Sequence, residues 1–240
     1  MYANGGAYSL TTATLNPVSG EQQTHNIDVA VAYFPNAMGF AAEAGVAAPG
    51  GATTLAVSGS GDTRRSGVLL ATAYGTAPDD NAVAVQPLTD GTGWTVEVRD
   101  SGSGAEADGF NYVFLPYGTE NLTAGQVNWY GYVQNKAGDF ALTREGTGLY
   151  RLSIPGESTE TGMLLLTATK SNYSSDNVLC YKADGNDFLI QGIDLQGDNT
   201  HGAQDTDFNF AFVGFDTPLQ NPQLRTTDPS ALAAGNIRVV

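Results

Sequence analysis

A chain of 240 residues with 25 acidic and 10 basic side chains carries a net charge of −15. That charge repels phosphate backbones and anionic headgroups, which argues against nucleic acid or a membrane surface as partner. Thirty glycines, 41% hydrophobic residues and only 15% charged residues describe a packed protein with many turns, not a disordered or fibrous one. No stretch approaches the roughly 18 apolar residues of a membrane span.

In the first half, runs of alternating or continuous apolar residues predict strands at Val29–Phe34, Thr54–Ser58, Val68–Tyr74, Ala82–Gln86, Trp94–Arg99 and Phe110–Leu115. Within them, Thr95-Val-Glu-Val-Arg99 alternates with period two, the pattern of a half-buried strand. In the second half the predicted strands are Val127–Val133, Phe140–Arg144, Tyr150–Ile154, Met163–Thr169, Val178–Lys182, Phe188–Ile193 and Phe208–Val213. Between these runs lie turn clusters such as Asp90-Gly-Thr-Gly93 and Asp184-Gly-Asn-Asp187. No long helical pattern interrupts them.

The two halves repeat one another. Gly51 to Ala73, shifted by 95, falls on Gly146 to Ala168 with 8 identities in 23 positions. Asp80-Asn81 meets Asp176-Asn177 at an offset of 96, and Phe110-Asn-Tyr-Val-Phe114 meets Phe208-Asn-Phe-Ala-Phe212 at 98. A duplication fixes architecture before single residues acquire roles. It predicts an all-β fold of two tandem, homologous, antiparallel β-sandwich units, Ig-like or jelly-roll-like. The expected divisions are an N-terminal segment at 1–21, units at 22–121 and 122–220, and a C-terminal connection and edge strand at 221–240. The rings at 110, 112 and 114, like those at 208, 210 and 212, share a strand face and are expected in the core. Leu122-Thr-Ala-Gly-Gln-Val127 has an echo in Leu232-Ala-Ala-Gly-Asn-Ile237. The final run Ile237–Val240 is expected to pair with the edge of the second unit or with a neighbouring chain.

Chemistry-bearing motifs are sparse. There is no Gly-x-Ser-x-Gly elbow, phosphate-binding glycine loop or His-Glu-x-x-His pair, and His25 and His201 are the only histidines. The one cysteine, Cys180, leaves no internal disulfide to form. The start, Met1-Tyr-Ala-Asn-Gly-Gly6, shows no secretory signal, so the chain is expected either to be a piece of a longer exported protein or to travel without one. Arg64-Arg65 falls in a turn and is expected to be solvated or locally paired. Asn121-Leu-Thr123 and Asn172-Tyr-Ser174 fit the N-glycosylation pattern.

Two groups of residues remain as candidate sites. Asp194, Asp198, Asn199, Asp205 and Asp207, in a loop with Gly197 and Gly202, could supply the oxygen ligands that calcium prefers, against a plain reading as solvated turn acids. Trp94, Trp129, Tyr130 and Tyr132 are candidate sugar-stacking rings. As a strand, Trp129-Tyr-Gly-Tyr132 would put Trp129 on one face and both tyrosines on the other, so a ring must be exposed or lie between units. A contact between units is the expected use, with sugar stacking the alternative.

The stretch Gly138-Asp-Phe-Ala-Leu-Thr-Arg-Glu-Gly-Thr-Gly-Leu-Tyr-Arg-Leu-Ser-Ile154, with Leu164-Leu-Leu-Thr-Ala168, Asp176-Asn-Val178 and Asp205-Thr-Asp-Phe-Asn-Phe210, resembles a recurrent bacterial β-sandwich repeat of exported surface and tail-fibre-like proteins. In the first unit Ala48-Pro-Gly-Gly51 replaces the Arg-x-Gly-x-Gly run. The resemblance implies a structural or adhesive role at a cell or virion surface, and it carries no catalytic residue. The expected function is therefore a non-enzymatic surface, secreted or virion protein, with neighbouring subunits or a cell-surface glycan as partners and homo-oligomers possible. The alternatives are a carbohydrate-binding module and, third, a glycan-cleaving enzyme using two carboxylates.

Overall fold

The computed structural model describes residues 53–57, 62–74, 81–99, 105–106, 108–170, 177–194 and 202–216, and the backbone of short strands outside these ranges. The described residues form an all-β fold. Near the N-terminus, Tyr2–Asn4 (β1) pairs with Ala7–Ser9 (β2), and Ala13–Leu15 (β3) with Gln22–Thr24 (β4). Val29–Ala32 (β5) pairs with the C-terminal Ala234–Ile237 (β21). Of the run expected to pair at 237–240, Ile237 lies opposite Val29, and 238–240 lie outside the described residues.

The first half continues with Glu43–Val46 (β6), Thr53–Ala56 (β7), a helical turn at Thr63–Ser66 (α1), Gly67–Tyr74 (β8), Ala82–Pro87 (β9), Gly93–Arg99 (β10), Ala105–Glu106 (β11) and Gly109–Pro116 (β12). The second contains Thr123–Val127 (β13), Val133–Ala137 (β14), Ala141–Gly146 (β15), Leu149–Ser153 (β16), Gly162–Thr169 (β17), Asn177–Asp184 (β18), Asp187–Asp194 (β19) and Phe208–Gly214 (β20). Helix α1 is capped by Asp62, whose carboxylate accepts from Arg64 N and is paired with the Arg64 guanidinium at 2.7 Å.

Strand pairing carries the sequence offsets into space. Phe110 on β12 lies opposite Ala73 on β8, and Phe208 on β20 lies opposite Ala168 on β17, displaced by the same 98 and 95 residues. Trp94 on β10 lies between Leu55 and Pro87, just as Phe188 on β19 lies between Leu152 and Ala183. Each half therefore repeats the pairings around β12 or β20 and those around β10 or β19.

These sheets stack in layers, and the rings bind the layers together. One face of β8 and β12 (Leu69, Ala71, Phe110, Phe114) packs against Val57, Val85, Trp94, Val96 and Val98. The opposite face (Val68, Leu70, Val113, Leu115) packs against Leu122, Ala124, Met163, Ala211 and Val213 of the second half. Beyond that, Phe208, Phe210 and Phe212 meet Tyr150, Leu152, Phe188 and Ile190. Strands β8 and β20 are buried on both faces, which explains their nearly unbroken apolar runs.

The halves share more than an apolar contact. Strand β9 pairs in parallel with β17, Ala84 opposite Ala168 and Val85 opposite Thr169. This junction creates one eight-stranded sheet, β11-β10-β9-β17-β20-β13-β14 with β7 also on β10. The sheet crosses the boundary expected at residue 121 and curls around the smaller sheet β6-β12-β8, whose edge strand β8 lies in the crease.

In the crease, a row of polar side chains on adjacent strands reaches the outer edge of β8. Thr167 Oγ1 accepts from Ala71 N at 3.0 Å and donates to Ala71 O at 3.1 Å. Asn209 Nδ2 donates to Leu69 O at 2.9 Å, and Gln126 Nε2 to Gly67 O at 2.9 Å. Asn135 Nδ2 in turn donates to Gln126 Oε1 at 3.1 Å. Thr167, Asn209, Gln126 and Asn135 are successive register partners across β17, β20, β13 and β14. Replacing Asn209 by alanine leaves the buried Leu69 carbonyl without its donor, so we expect a loss of about 1–3 kcal/mol in urea unfolding. The shared sheet predicts that the transition stays single; two separated transitions would contradict it.

Candidate functional site

The segment expected as one strand, Val127–Val133, is a hairpin turn between β13 and β14. Asn128 makes the difference: its Oδ1 accepts from Tyr130 N at 3.1 Å and Tyr132 N at 2.9 Å, giving the backbone a local alternative to a ladder. Gly131 has φ +84°, and a Cβ there would sit 3.0 Å from Arg144 Cβ. The turn is anchored from outside as well. Trp129 N donates to Asp207 Oδ1 at 3.1 Å, and Tyr150 OH donates to Trp129 O at 2.8 Å. Burial pushes the Tyr150 phenol up to about 12, so it stays protonated and keeps that donor.

This frame presents three rings. Tyr132 is 70% exposed and Tyr130 55%, the large hydrophobic side chains most open to solvent among the described residues. Trp129 is partly buried, with its ring centroid 3.5 Å from that of Tyr130. Tyr130 and Tyr132 rings lie 6.2 Å apart. Of the four predicted rings, these three come together at one tip.

Trp94 does not join them. Its ring is fully buried at the position that Phe188 occupies in the second half, so it cannot offer a face for stacking. It does line a cleft of about 210 Å³ next to the hairpin, together with Pro87, Gln126, Thr169, Asp207 and Asn209. The registers put Trp94, Val85, Thr169, Asn209 and Gln126 on one face of the curled sheet. The cleft is thus the part of that concave face adjoining β8 and the hairpin. The buried Trp94 Nε1–H has no hydrogen-bond partner. Gln134 and Val127, which flank the turn, line the cleft too, and Asp207 belongs to both features.

The acidic candidates separate. Asp205 accepts from Arg144 Nε at 2.9 Å, Arg144 Nη2 at 2.7 Å and Gly148 N at 2.8 Å. Burial pushes its carboxyl up, but these donors outweigh burial and hold it below the ordinary value. Asp207 faces the hairpin, and Asp194 accepts from Gln204 Nε2 at 2.8 Å. Asp198 and Asn199 lie outside the described residues, as do His25 and His201. Among the described residues no three His, Cys, Asp or Glu side chains gather as a metal site would require. Sequence reasoning missed the amide-rich cleft because its members are scattered over six strands and share no motif.

Lys170, at the cleft rim, donates to the buried Glu97, which also receives Arg99. No known protein family, curated protein or solved structure matches the chain.

Burial raises the Glu97 carboxyl, and the bonds from Lys170 and Arg99 overcome that, leaving it below its ordinary 4.5. A depressed carboxyl contributes stability that is present above the unfolded value and lost as pH falls through the folded one. Glu97→Gln should therefore reduce stability at neutral pH and flatten the decline in melting temperature below about pH 4.5. An unchanged acid limb would remove Glu97 from this role.

Proposed function

We propose that the chain is a non-catalytic attachment protein of a cell or virion surface that holds a glycan on the Trp129–Tyr132 hairpin and in the cleft beside it. The observation that carries this reading is the pair of exposed tyrosines on a turn whose backbone is fixed by Asn128, Asp207 and Tyr150. Exposed rings on a rigid frame offer apolar area at little cost in conformational entropy, the economy that binding surfaces exploit. A net charge of −15 disfavours nucleic acid as the stacked partner. Sugars combine apolar C–H faces with hydroxyls, and the cleft supplies matching exposed polar groups in Gln86 and Gln134. The partner's chemistry thus fits both features.

The hairpin lies outside the three apolar clusters, so its rings can be removed without opening a core. On a glycan array followed by calorimetry with the best ligand, Tyr132→Ala and Tyr130→Ala should each weaken binding about tenfold or more, a loss of about 1.4 kcal/mol. Melting temperature should stay close to wild type, and binding should change little between low and high salt. Absence of any retained glycan, or full binding by the double alanine variant, would overturn the proposal.

A further inference from the structure

The base of the loop that follows β19 holds a second feature, independent of the glycan reading. Asn177 opens β18, is 1% exposed and lies opposite Asp194 at the end of β19. Its Nδ2 donates to Thr206 Oγ1 at 2.7 Å. The Thr206 hydroxyl donates onward to Gln204 O at 2.9 Å, and Gln204 Nε2 donates to Asp194 Oδ2 at 2.8 Å. These contacts and the strand register close a ring, Asn177–Thr206–Gln204–Asp194. The chain is drawn tight around it: Asp194 N donates to Gly202 O at 3.0 Å, and Gly192 approaches so closely that a Cβ would lie 2.4 Å from Thr206 Oγ1.

The ring's proton inventory leaves a deficit. With the Thr206 proton committed to Gln204 O, the Asn177 atom facing Thr206 must be its nitrogen; the Gln204 atom facing a carboxylate must likewise be its nitrogen. Both carboxamide oxygens, Asn177 Oδ1 and Gln204 Oε1, are then left unused by these contacts, buried and without a hydrogen-bond partner. Buried polar atoms are rarely left so. The same motif recurs in the first half, where Asn81 Nδ2 donates to Asp108 Oδ2 at 2.6 Å and Asn81 Oδ1 is again buried and unpartnered. Asn81 and Asn177 are equivalent at the offset of 96, and Asp108 and Thr206 at 98. The orphaned asparagine oxygen stands at the same place in both halves and is a property of the repeat.

We propose that the ring binds calcium, with Asn177 Oδ1, Gln204 Oε1 and the Asp194 carboxylate as its protein ligands and water completing the shell. Two neutral amide oxygens and one carboxylate are hard donors of the kind calcium takes, and a single formal charge places the site in the weak class, with Kd about 10⁻⁴–10⁻³ M. This ligand set replaces the one expected from sequence: Asp205 and Asp207 point elsewhere, while Asn177 and Gln204 enter.

The test is calcium titration of the chelator-treated full chain by calorimetry and by melting temperature. Wild type should bind and melt higher with millimolar calcium. Asp194→Asn should weaken calcium affinity at the second-half site at least tenfold. Gln204→Glu removes the amide that bonds Asp194 and sets two carboxylates side by side, so this variant should melt lower without calcium and regain the loss when it is added, with tighter affinity than wild type. No binding by wild type at 10 mM calcium, about ten times the weak end of that range, would assign the two oxygens to buried water and overturn the proposal, as would binding that neither substitution alters.

Discussion

The structure depends on how one edge strand is satisfied. Strand β8 pairs with β12 on one side only, and its other edge faces the inside of the protein, where bare peptide groups would be costly. The answer is a row of side chains, Thr167, Asn209 and Gln126, that meets Ala71, Leu69 and Gly67 on alternate residues of that edge. The match works because both patterns have fixed spacings: peptide groups on a strand edge point outward every second residue, and register partners line up across neighbouring strands. A sheet face thereby serves as the missing partner of a strand edge. The polar row also fixes where β8 lies, since sliding it by one residue would leave every outward carbonyl without a donor.

Once β8 is held there, the remaining layers follow. Its two faces are both available for burial, one toward Trp94 and Val96, the other toward Met163 and Val213. The parallel pairing of β9 with β17 carries the large sheet around the crease and encloses the strand on both sides. Glu97, taking Lys170 from the other half, adds a charge-assisted link across the same junction. The halves therefore behave as one body at their join, although each repeats the other's internal pairing.

How much of this is legible in the sequence depends on what kind of information each feature carries. The duplication is plain, because a repeat in residue order becomes a repeat in strand register, Phe110 opposite Ala73 and Phe208 opposite Ala168. The core rings are legible too, since alternating aromatics announce a buried face. Trp94 is misread because tryptophan serves cores and binding faces alike, and only its neighbours Leu55 and Pro87 tell which. Val127–Val133 is misread because its apolar ends and tyrosines imitate a strand, while the deciding factor is the Asn128 side chain capping two amides. Asn177 and Thr167 stand out in the repeat but not by what they bond, as a polar residue within a strand looks the same whether it faces water or bonds a distant backbone.

Comparison of the repeats also locates where the second half is longer. In the first half six residues separate β6 from β7; in the second, 21 residues separate their counterparts β13 and β16. That extra length is the hairpin with Trp129, Tyr130 and Tyr132, followed by β14 and β15. Strand β14 extends the outer edge of the large sheet, and Asn135 on it supports Gln126, so the insertion is tied directly into the row that secures β8. Exposed rings on a free loop would lose their fixed geometry; here they stand on a strand pair whose base bonds to the centre of the protein. The repeated framework and the unrepeated hairpin thus differ in kind: what the two halves have in common makes the packed body, and the hairpin in the second sets two exposed tyrosine rings on it.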